Sequence, residues 1–155
     1  MRSRVVVAVR VAASAERAFE VFTSEIDQWW RSDDLFLFDV RRTGRMAFEP
    51  GPGGRLTETY DDGEVFEVGR IHVWEPPSRL VFGWRQAGFA PDQETEVRIG
   101  FERVGAETRV TVEHLGWDEI PEDHAARHGF PLFVFQQRNA ERWQTLLRRL
   151  RKQLG

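Results

Sequence analysis

The spacing of apolar residues near the N-terminus predicts a strand followed by two short helices. Val5–Val11 is short and rich in β-branched residues, which is typical of a strand. After this segment, apolar residues recur at helical spacing from Ser14 onward. Serine is one of the residues that commonly cap the N-terminus of a helix. The pattern therefore predicts a first helix over Ala15–Thr23 and a second short helix over Glu25–Trp30.

From residue 36 onward apolar and polar residues alternate with a period of two, which predicts strands. Turn sequences rich in Gly, Pro and Asp separate the alternating runs, and Asp61-Asp62-Gly63 is a typical hairpin turn. The predicted strand segments are the run Phe36–Phe48, in which Phe36 and Phe38 and then Met46 and Phe48 alternate, followed by Arg55–Tyr60, Glu64–Trp74, Leu80–Trp84, Glu94–Val104 and Glu107–Trp117. Strands at such regular spacing predict a single twisted antiparallel sheet.

The last predicted element is a long amphipathic helix. Its apolar stripe consists of residues at i, i+3, i+4, i+7 and i+11, namely Trp143, Leu146, Leu147, Leu150 and Leu154. A sheet with one apolar face needs a cover, and only this helix is long enough to supply it. We therefore predict an α+β fold in which a curved antiparallel sheet of six to seven strands wraps around the C-terminal helix and leaves an apolar cavity between the layers.

Composition and charge exclude several classes of function. The chain has 22 basic and 25 acidic side chains and a net charge of −3, so electrostatics give no reason to expect nucleic acid or a membrane as a partner. The absence of cysteine excludes disulfides, zinc–thiolate sites and cysteine nucleophiles. No signal peptide, apolar stretch of about 20 residues, or metal or cofactor motif is recognisable. We expect a cytoplasmic protein without a metal or cofactor.

Large aromatic rings are unusually frequent, with six Trp and 12 Phe against one Tyr. Such rings either fill a core or line a pocket for a ligand, and the sequence leaves both alternatives open. The candidate lining rings are Trp30, Phe36, Phe38, Phe48, Trp84, Phe101, Trp117 and Trp143.

Several sequence blocks that together cover nearly the whole chain resemble the START-like (SRPBCC) superfamily. The blocks are AASAERAFEVFT with the following WW, FEPGPGGRLTETYDDG, VGRIHVWEPPSRLVFGWR, TEVRIGFERVGAETRVTVEHLGW and WQTLLRRL. Within that superfamily they are similar to the branch related to the C-terminal domain of the Hsp90 ATPase activator. The resemblance implies one START-like domain over residues 1–155 with the helix-grip fold. The stretch Asp118–Gln137 fits none of these blocks, and we expect it to border the mouth of the cavity.

Glu58 and His114 are the candidate acid–base pair. Alternation places Glu58 on the same strand face as Tyr60, and both the Glu58 and His114 faces should point toward the helix. A carboxylate and an imidazole in one apolar cavity can act as general base and acid, although a buried structural histidine is the alternative. Arg55, at the start of a strand, is a candidate for binding a ligand carboxylate, with a surface position as its alternative.

Three functions follow as hypotheses. The first is binding or sequestration of a small lipophilic molecule, with affinity from ring burial at about 25 cal/mol per Å² of apolar area and with Glu58, Tyr60, Arg55 and His114 among the contacts. The second is an enzyme of the cyclase or hydratase type that uses Glu58 and His114, and whether the protein is an enzyme stays open. The third is a chaperone-linked or stress-linked module for protein interaction, as a monomer or a homodimer.

Overall fold

Residues 2–32 and 35–155 are described in this computed structural model, and within these ranges seven strands form one antiparallel sheet. The strands are β1 (Arg4–Val11), β2 (Arg45–Phe48), β3 (Arg55–Thr59), β4 (Val65–Glu75), β5 (Arg79–Trp84), β6 (Thr95–Val104) and β7 (Glu107–Leu115). The helices are α1 (Ala15–Ser24), α2 (Ile26–Trp29) and α3 (Leu132–Gln153), with 3₁₀ turns at Trp117–Glu119 and Ala125–Arg127. The order across the sheet is β1-β7-β6-β5-β4-β3-β2, so the first and last strands of the chain are neighbours. The predicted α+β architecture is confirmed.

Helix α1 begins where the sequence predicts it, because Ser14 caps it. The Ser14 hydroxyl accepts a hydrogen bond from the backbone N–H of Arg17 at 3.1 Å. The apolar face of α1 buries Phe19 and Phe22, which contact Phe101 of β6 at ring-centroid distances of 5.1 and 5.8 Å. Helix α1 therefore covers part of the sheet before α2 turns the chain toward β2.

The predicted strand over Phe36–Phe48 is wrong in its first part, because Phe36–Phe38 is an irregular loop and only Arg45–Phe48 forms a strand. The backbone of this loop pairs with the loop after β5 rather than with a strand: the Leu37 carbonyl accepts from the Ala87 N–H at 2.9 Å, and the Leu35 carbonyl from the Gln86 side chain at 3.0 Å. Both phenylalanines are nevertheless buried. The alternating pattern correctly predicted that Phe36 and Phe38 are buried, but it did not predict the backbone conformation of this segment.

Helix α3 lies against β1 and also contacts α1 and α2. It buries Phe135, Asn139, Trp143, Leu146, Leu147 and Leu150, while Leu154 follows the last helical turn and is only partly buried. The predicted stripe is thus the buried face of α3, as the helix-grip arrangement requires. Across the described ranges no helix combines the length and apolar character that crossing a bilayer requires.

Candidate functional site

His114 lies at the centre of a buried polar cluster between β7, β6 and α3. The indole N–H of Trp143 donates to Nδ1 of His114 at 3.1 Å, and the Thr95 hydroxyl lies 2.8 Å from Nε2. Since that hydroxyl donates to the Trp84 carbonyl at 3.1 Å, it is free to accept from Nε2. The indole N–H of Trp117 also lies 3.1 Å from Nε2. A neutral imidazole has one acceptor nitrogen, so it accepts from only one of the two indole N–H groups. With the proton on Nε2, Nδ1 accepts from Trp143 and Nε2 donates to Thr95, and the Trp117 N–H has no acceptor on His114.

The surroundings of His114 keep its imidazole neutral. The side chain is 1% exposed, and burial lowers the pKa of His114 to about 3. In the described part of the chain no hydrogen bond, ion pair or ring contact joins His114 to Glu58. The acid–base pair of Glu58 and His114 therefore stays a prediction, and the contacts of His114 are those of a group that holds α3 to the sheet.

Four of the predicted cavity rings pack against one another between the sheet and α3. Trp30 lies 5.6 Å from Trp84 and 5.7 Å from Trp143, and Phe36 lies 5.2 and 5.6 Å from the same two rings. Each of the four side chains is at most 5% exposed. Around these rings the arrangement is that of a packed core, which was one of the two alternatives left open by the sequence.

The other predicted rings lie around this group, each against further aromatic side chains. Phe38 contacts Phe66 and Trp84, Phe48 contacts Phe22 and Phe82, Phe101 contacts Phe19 and Phe22, and Trp117 contacts Phe89 and Phe135. A role in ligand binding stays a prediction for all of them.

Glu58 of β3 is a buried carboxylate with one oxygen left without a partner. Its cross-strand neighbours are Met46 of β2 and Phe66 of β4, and its side chain is 1% exposed. The Ser32 hydroxyl donates to Oε2 at 3.3 Å, whereas Oε1 has no hydrogen-bond partner among the described residues. A buried polar group without a partner costs about 1–3 kcal/mol, and more when it is charged. Such an atom needs a structural or functional explanation.

Tyr60 and Trp30 carry two further buried polar atoms that lack partners. The Tyr60 ring lies 4.0 Å from the guanidinium carbon of Arg42. The Tyr60 hydroxyl is outside ordinary hydrogen-bond geometry but is close enough to the Glu58 carboxylate to interact with it. Burial, and after it the Glu58 carboxylate, raises the pKa of Tyr60 above its usual value. Within residues 2–32 and 35–155 the indole N–H of Trp30 is also unpaired. The structure thus brings together two of the predicted site residues, Glu58 and Tyr60.

A cleft between α2 and β2 lies beside these atoms, and we call it the β2 cleft. Its inner part has a volume of about 290 Å³ and is lined by Asp27, Trp30, Arg31, Ser32, Thr43, Gly44, Arg45 and Met46. An adjoining part of about 330 Å³ shares Asp27, Arg45 and Met46 and extends to Thr23, Ser24, Ala47, Phe48 and Thr59. Arg45 and Asp27 line both parts of the cleft, and the Arg45 guanidinium donates a hydrogen bond to the Asp27 carboxylate at 2.8 Å. Ser32 and Met46 separate Glu58 from the inner part of the cleft. The Ser32 hydroxyl donates a hydrogen bond to Glu58, and Met46 is the cross-strand neighbour of Glu58.

Arg55 is engaged with a neighbouring side chain. Its guanidinium donates to both carboxylate oxygens of Glu49 at 2.9–3.2 Å, and this contact holds the pKa of Glu49 below its usual range. Arg55 is therefore outside the pair formed by Glu58 and Tyr60, and a role in binding a ligand stays a prediction.

The sequence did not single out several residues that shape the surface beside α3. A groove of about 560 Å³ is lined by Leu35, His128, Phe130, Arg138, Glu141, Arg142 and Thr145. His128 and Phe130 belong to the stretch expected to border a cavity mouth. Within that stretch Arg127 is buried, and its guanidinium donates to the carbonyls of Ile120 and Phe130 at 2.9 and 2.7 Å. No motif marked Arg127 or Ser32, since their partners are set by the tertiary fold.

Among the described residues no group of side chains is suited to a metal. In the described ranges no three His, Asp or Glu side chains lie close enough together to hold an ion. The β2 cleft instead combines a few apolar side chains, Trp30, Met46 and Phe48, with polar and charged ones such as Asp27, Ser32 and Arg45. It therefore offers both apolar surface and hydrogen-bonding groups to an organic molecule.

A sheet wrapped around a long C-terminal helix, with a cleft near its last edge strand, defines a protein of the helix-grip class. Residues 12–155 match the family described as Activator of Hsp90 ATPase homolog 1-like protein, and the chain belongs to that family. No curated protein matches the chain in sequence.

Solved structures of similar proteins have the same fold over nearly the whole chain. Protein MLL2253 from Mesorhizobium loti has a TM-score of 0.67 and 19% identity, with 97% of this chain and 95% of that chain covered. PFC0360w, an HSP90 activator from Plasmodium falciparum, has a TM-score of 0.66 and 17% identity, with 98% and 96% covered. The Aha1 dimer from Colwellia psychrerythraea has a TM-score of 0.63 and 18% identity, with 98% and 96% covered. At these identities the similarity shows the fold alone.

Proposed function

We propose that the protein binds a small, mainly apolar organic molecule in the β2 cleft. The observation that carries this proposal is the β2 cleft itself, whose walls combine the apolar side chains of Trp30, Met46 and Phe48 with polar side chains such as Ser32 and Thr43.

The shape of the cleft supports the same proposal. Its inner part has a volume of about 290 Å³, close to the lower end of the range of about 300–1,000 Å³ for small-molecule sites. Trp30 and Met46 line the inner part and Phe48 the adjoining part, so apolar surface is available for burial. The packed rings around Trp84 would then form the floor that positions the cleft, while the ligand occupies the cleft itself.

Native mass spectrometry of protein purified under mild conditions tests this proposal, together with thermal shifts from a panel of lipophilic molecules. We expect a bound species or a stabilising panel member, and we expect Met46→Trp to abolish it by filling the cleft. Val65→Trp is the matched control, because Val65 is an exposed strand residue that does not line the cleft. The proposal fails if no species is bound and no panel member shifts the melting temperature.

Protein interaction is a second candidate, supported by an exposed ring at the start of α3. Phe133 is 79% exposed, and the same helix carries exposed basic side chains at Arg138, Arg148, Arg151 and Lys152. Since one protein of similar structure is named as an HSP90 activator, an Hsp90 chaperone is the partner to test. We expect the chain to raise the ATPase rate of the chaperone and Phe133→Ser to weaken this effect. An unchanged rate and the absence of a complex in sedimentation would leave this candidate without support.

A further inference from the structure

A groove of about 340 Å³ lies between α1 and the end of β4, and we call it the α1 groove. Its wall is formed on one side by α1 and on the other by the end of β4 with the turn that follows. The residues that distinguish it are Glu16, Phe19, Glu20, Trp74, Pro76 and Pro77. The groove shares Thr23 and Ser24 with the adjoining part of the β2 cleft, but these six residues all lie outside that cleft.

The apolar part of the α1 groove is an aromatic ring that the core holds in place. The Trp74 ring is partly buried and packs edge-to-face on Phe19, with ring centroids 5.1 Å apart and an angle of 84° between the planes. Phe19 is 4% exposed and packs in turn on Phe101. In an edge-to-face contact Phe19 covers at most one face of Trp74. The ring is thus fixed on one side, while its remaining surface lines the groove together with two rigid proline rings.

The rim of the α1 groove is acidic. Glu16 and Glu20 are exposed and stand one helical turn apart on α1. Glu20 pairs with Arg17, whereas Glu16 has no ion pair with any described residue. Glu75 at the end of β4 is also exposed, and its carboxylate lies 3.8 Å from the Arg79 guanidinium. Among the described residues that line the groove none is basic, so its field attracts cations.

We infer that the α1 groove binds an organic ammonium ion that carries an apolar chain or ring. The apolar part packs on Trp74 and the proline rings, which removes apolar surface from water. The ammonium group lies at the rim, where the Glu16 carboxylate and the face of an indole ring both attract a cation. A neutral molecule gains only the apolar contacts, and a carboxylate is repelled by the rim. This site and its ligand class are separate from the β2 cleft, and the inference does not depend on the function proposed above.

Three probes of one size test the charge preference: 3-phenylpropylamine, 3-phenylpropan-1-ol and 3-phenylpropanoate. Binding is measured by titration in ¹H–¹⁵N spectra, in which the indole N–H signal of Trp74 is identified by its loss in Trp74→Phe. We expect the amine to shift the Trp74 signal and to bind at least about fivefold more tightly than the alcohol, with the acid weakest. Raising the salt from about 20 to 300 mM should weaken the amine and leave the alcohol unchanged.

Substitutions test whether the named groups produce this preference. Glu16→Gln removes the unpaired charge from an exposed position, so the affinity for the amine should fall about two- to threefold while that for the alcohol stays the same. Glu122→Gln, in an exposed loop, is the matched control and should change neither affinity. Trp74→Leu keeps an apolar side chain but removes the ring face, and it should abolish most of the preference for the amine. Met46→Trp fills the β2 cleft and should leave the binding of the amine intact.

Each outcome supports or overturns the inference. Equal binding of the amine and the alcohol, tightest binding of the acid, or no shift of the Trp74 signal by any probe overturns it and leaves the β2 cleft proposal untouched. Binding of the amine that Met46→Trp abolishes also overturns it, because the amine then occupies the β2 cleft. If Trp74→Leu does not fold, Glu16→Gln and the salt dependence still decide, since neither changes the core.

Discussion

Trp143 of α3 donates its indole N–H to Nδ1 of His114 in β7, over 3.1 Å and inside the core. The bond joins the helix to the sheet at a point where neither partner reaches solvent. His114 in turn contacts Thr95 of β6, so three elements share one imidazole. These hydrogen bonds fix the position of α3 on the sheet, in addition to the apolar contacts that hold the helix there.

Trp143→Phe should lower the free energy of unfolding by about 2–4 kcal/mol, because it leaves Nδ1 of His114 buried without a donor and removes part of a buried ring. Urea denaturation measures the loss. Trp74→Phe is the matched control, since the Trp74 ring is only partly buried and packs edge-on against Phe19. Equal losses in the two variants would show that the bond between Trp143 and His114 adds nothing beyond ring burial.

The neutral His114 should make stability depend on pH in a defined window. Burial lowers its pKa to about 3 in the folded protein from a usual value of 6.5. Between these values the unfolded chain binds one proton more than the folded one, so stability falls as the pH falls, by about 1.4 kcal/mol per pH unit. Denaturation between about pH 4.5 and 6.0 isolates this effect, because at lower pH carboxylates with lowered pKa values, such as Asp39, add their own losses.

His114→Gln is the matched variant for the pH prediction, since a glutamine side chain can still donate and accept but does not titrate. We expect its stability to lose the part of the pH dependence due to one proton. If the variant does not fold, ¹⁵N spectra of the wild-type imidazole answer the same question. A His114 ring that becomes protonated at pH 5 contradicts the prediction.

The sequence predicted the elements whose formation depends on local pattern. The Ser14 cap and the apolar spacing gave α1 to within one residue, and the stripe from Trp143 onward gave the buried face of α3. The loop around Phe36 was assigned wrongly because alternating burial there comes from contacts with the segment after β5. A period of two in the sequence cannot distinguish a strand from a loop that is held against a sheet.

The candidate site could be predicted only in part, for a related reason. Strand alternation correctly placed Glu58 and His114 on buried faces. The face of a strand on which a side chain lies can be read from neighbours two residues away. Their partners are far away in sequence: Trp143 lies 29 residues from His114, and Ser32 lies 26 residues from Glu58. The packing of elements that are distant in sequence decides which polar atoms have hydrogen-bond partners. The spacing of residues along the chain therefore cannot predict these partners.

Glu58→Met should stabilise the protein by about 1–3 kcal/mol, because it replaces a buried, half-paired carboxylate with an apolar side chain of similar length. The physical reason is that the carboxylate is kept at a cost to the fold, as is common for groups that serve binding. Urea denaturation provides the measurement. Glu122→Gln, in an exposed loop, is the control and should change stability by less than about 0.5 kcal/mol. A clear destabilisation by Glu58→Met would mean that the carboxylate is structural.

The close approach of two glycines in the sheet gives the last prediction. A Cβ atom on Gly69 of β4 would lie 1.8 Å from the carbonyl oxygen of Gly83 in β5, a distance that the backbone has to relieve by moving. Gly69→Ala should therefore destabilise the protein by about 2 kcal/mol or more, since the obstacle is backbone and cannot rotate away.

Gly100→Ala in β6 is the matched control, because a Cβ there meets nothing within 4 Å and its φ is not in the left-handed region. That variant should be neutral or more stable by about 0.4–1 kcal/mol, through the reduced freedom of the unfolded chain. Thermal and urea denaturation compare the two, and similar stabilities would contradict the close packing of β4 on β5 at this point.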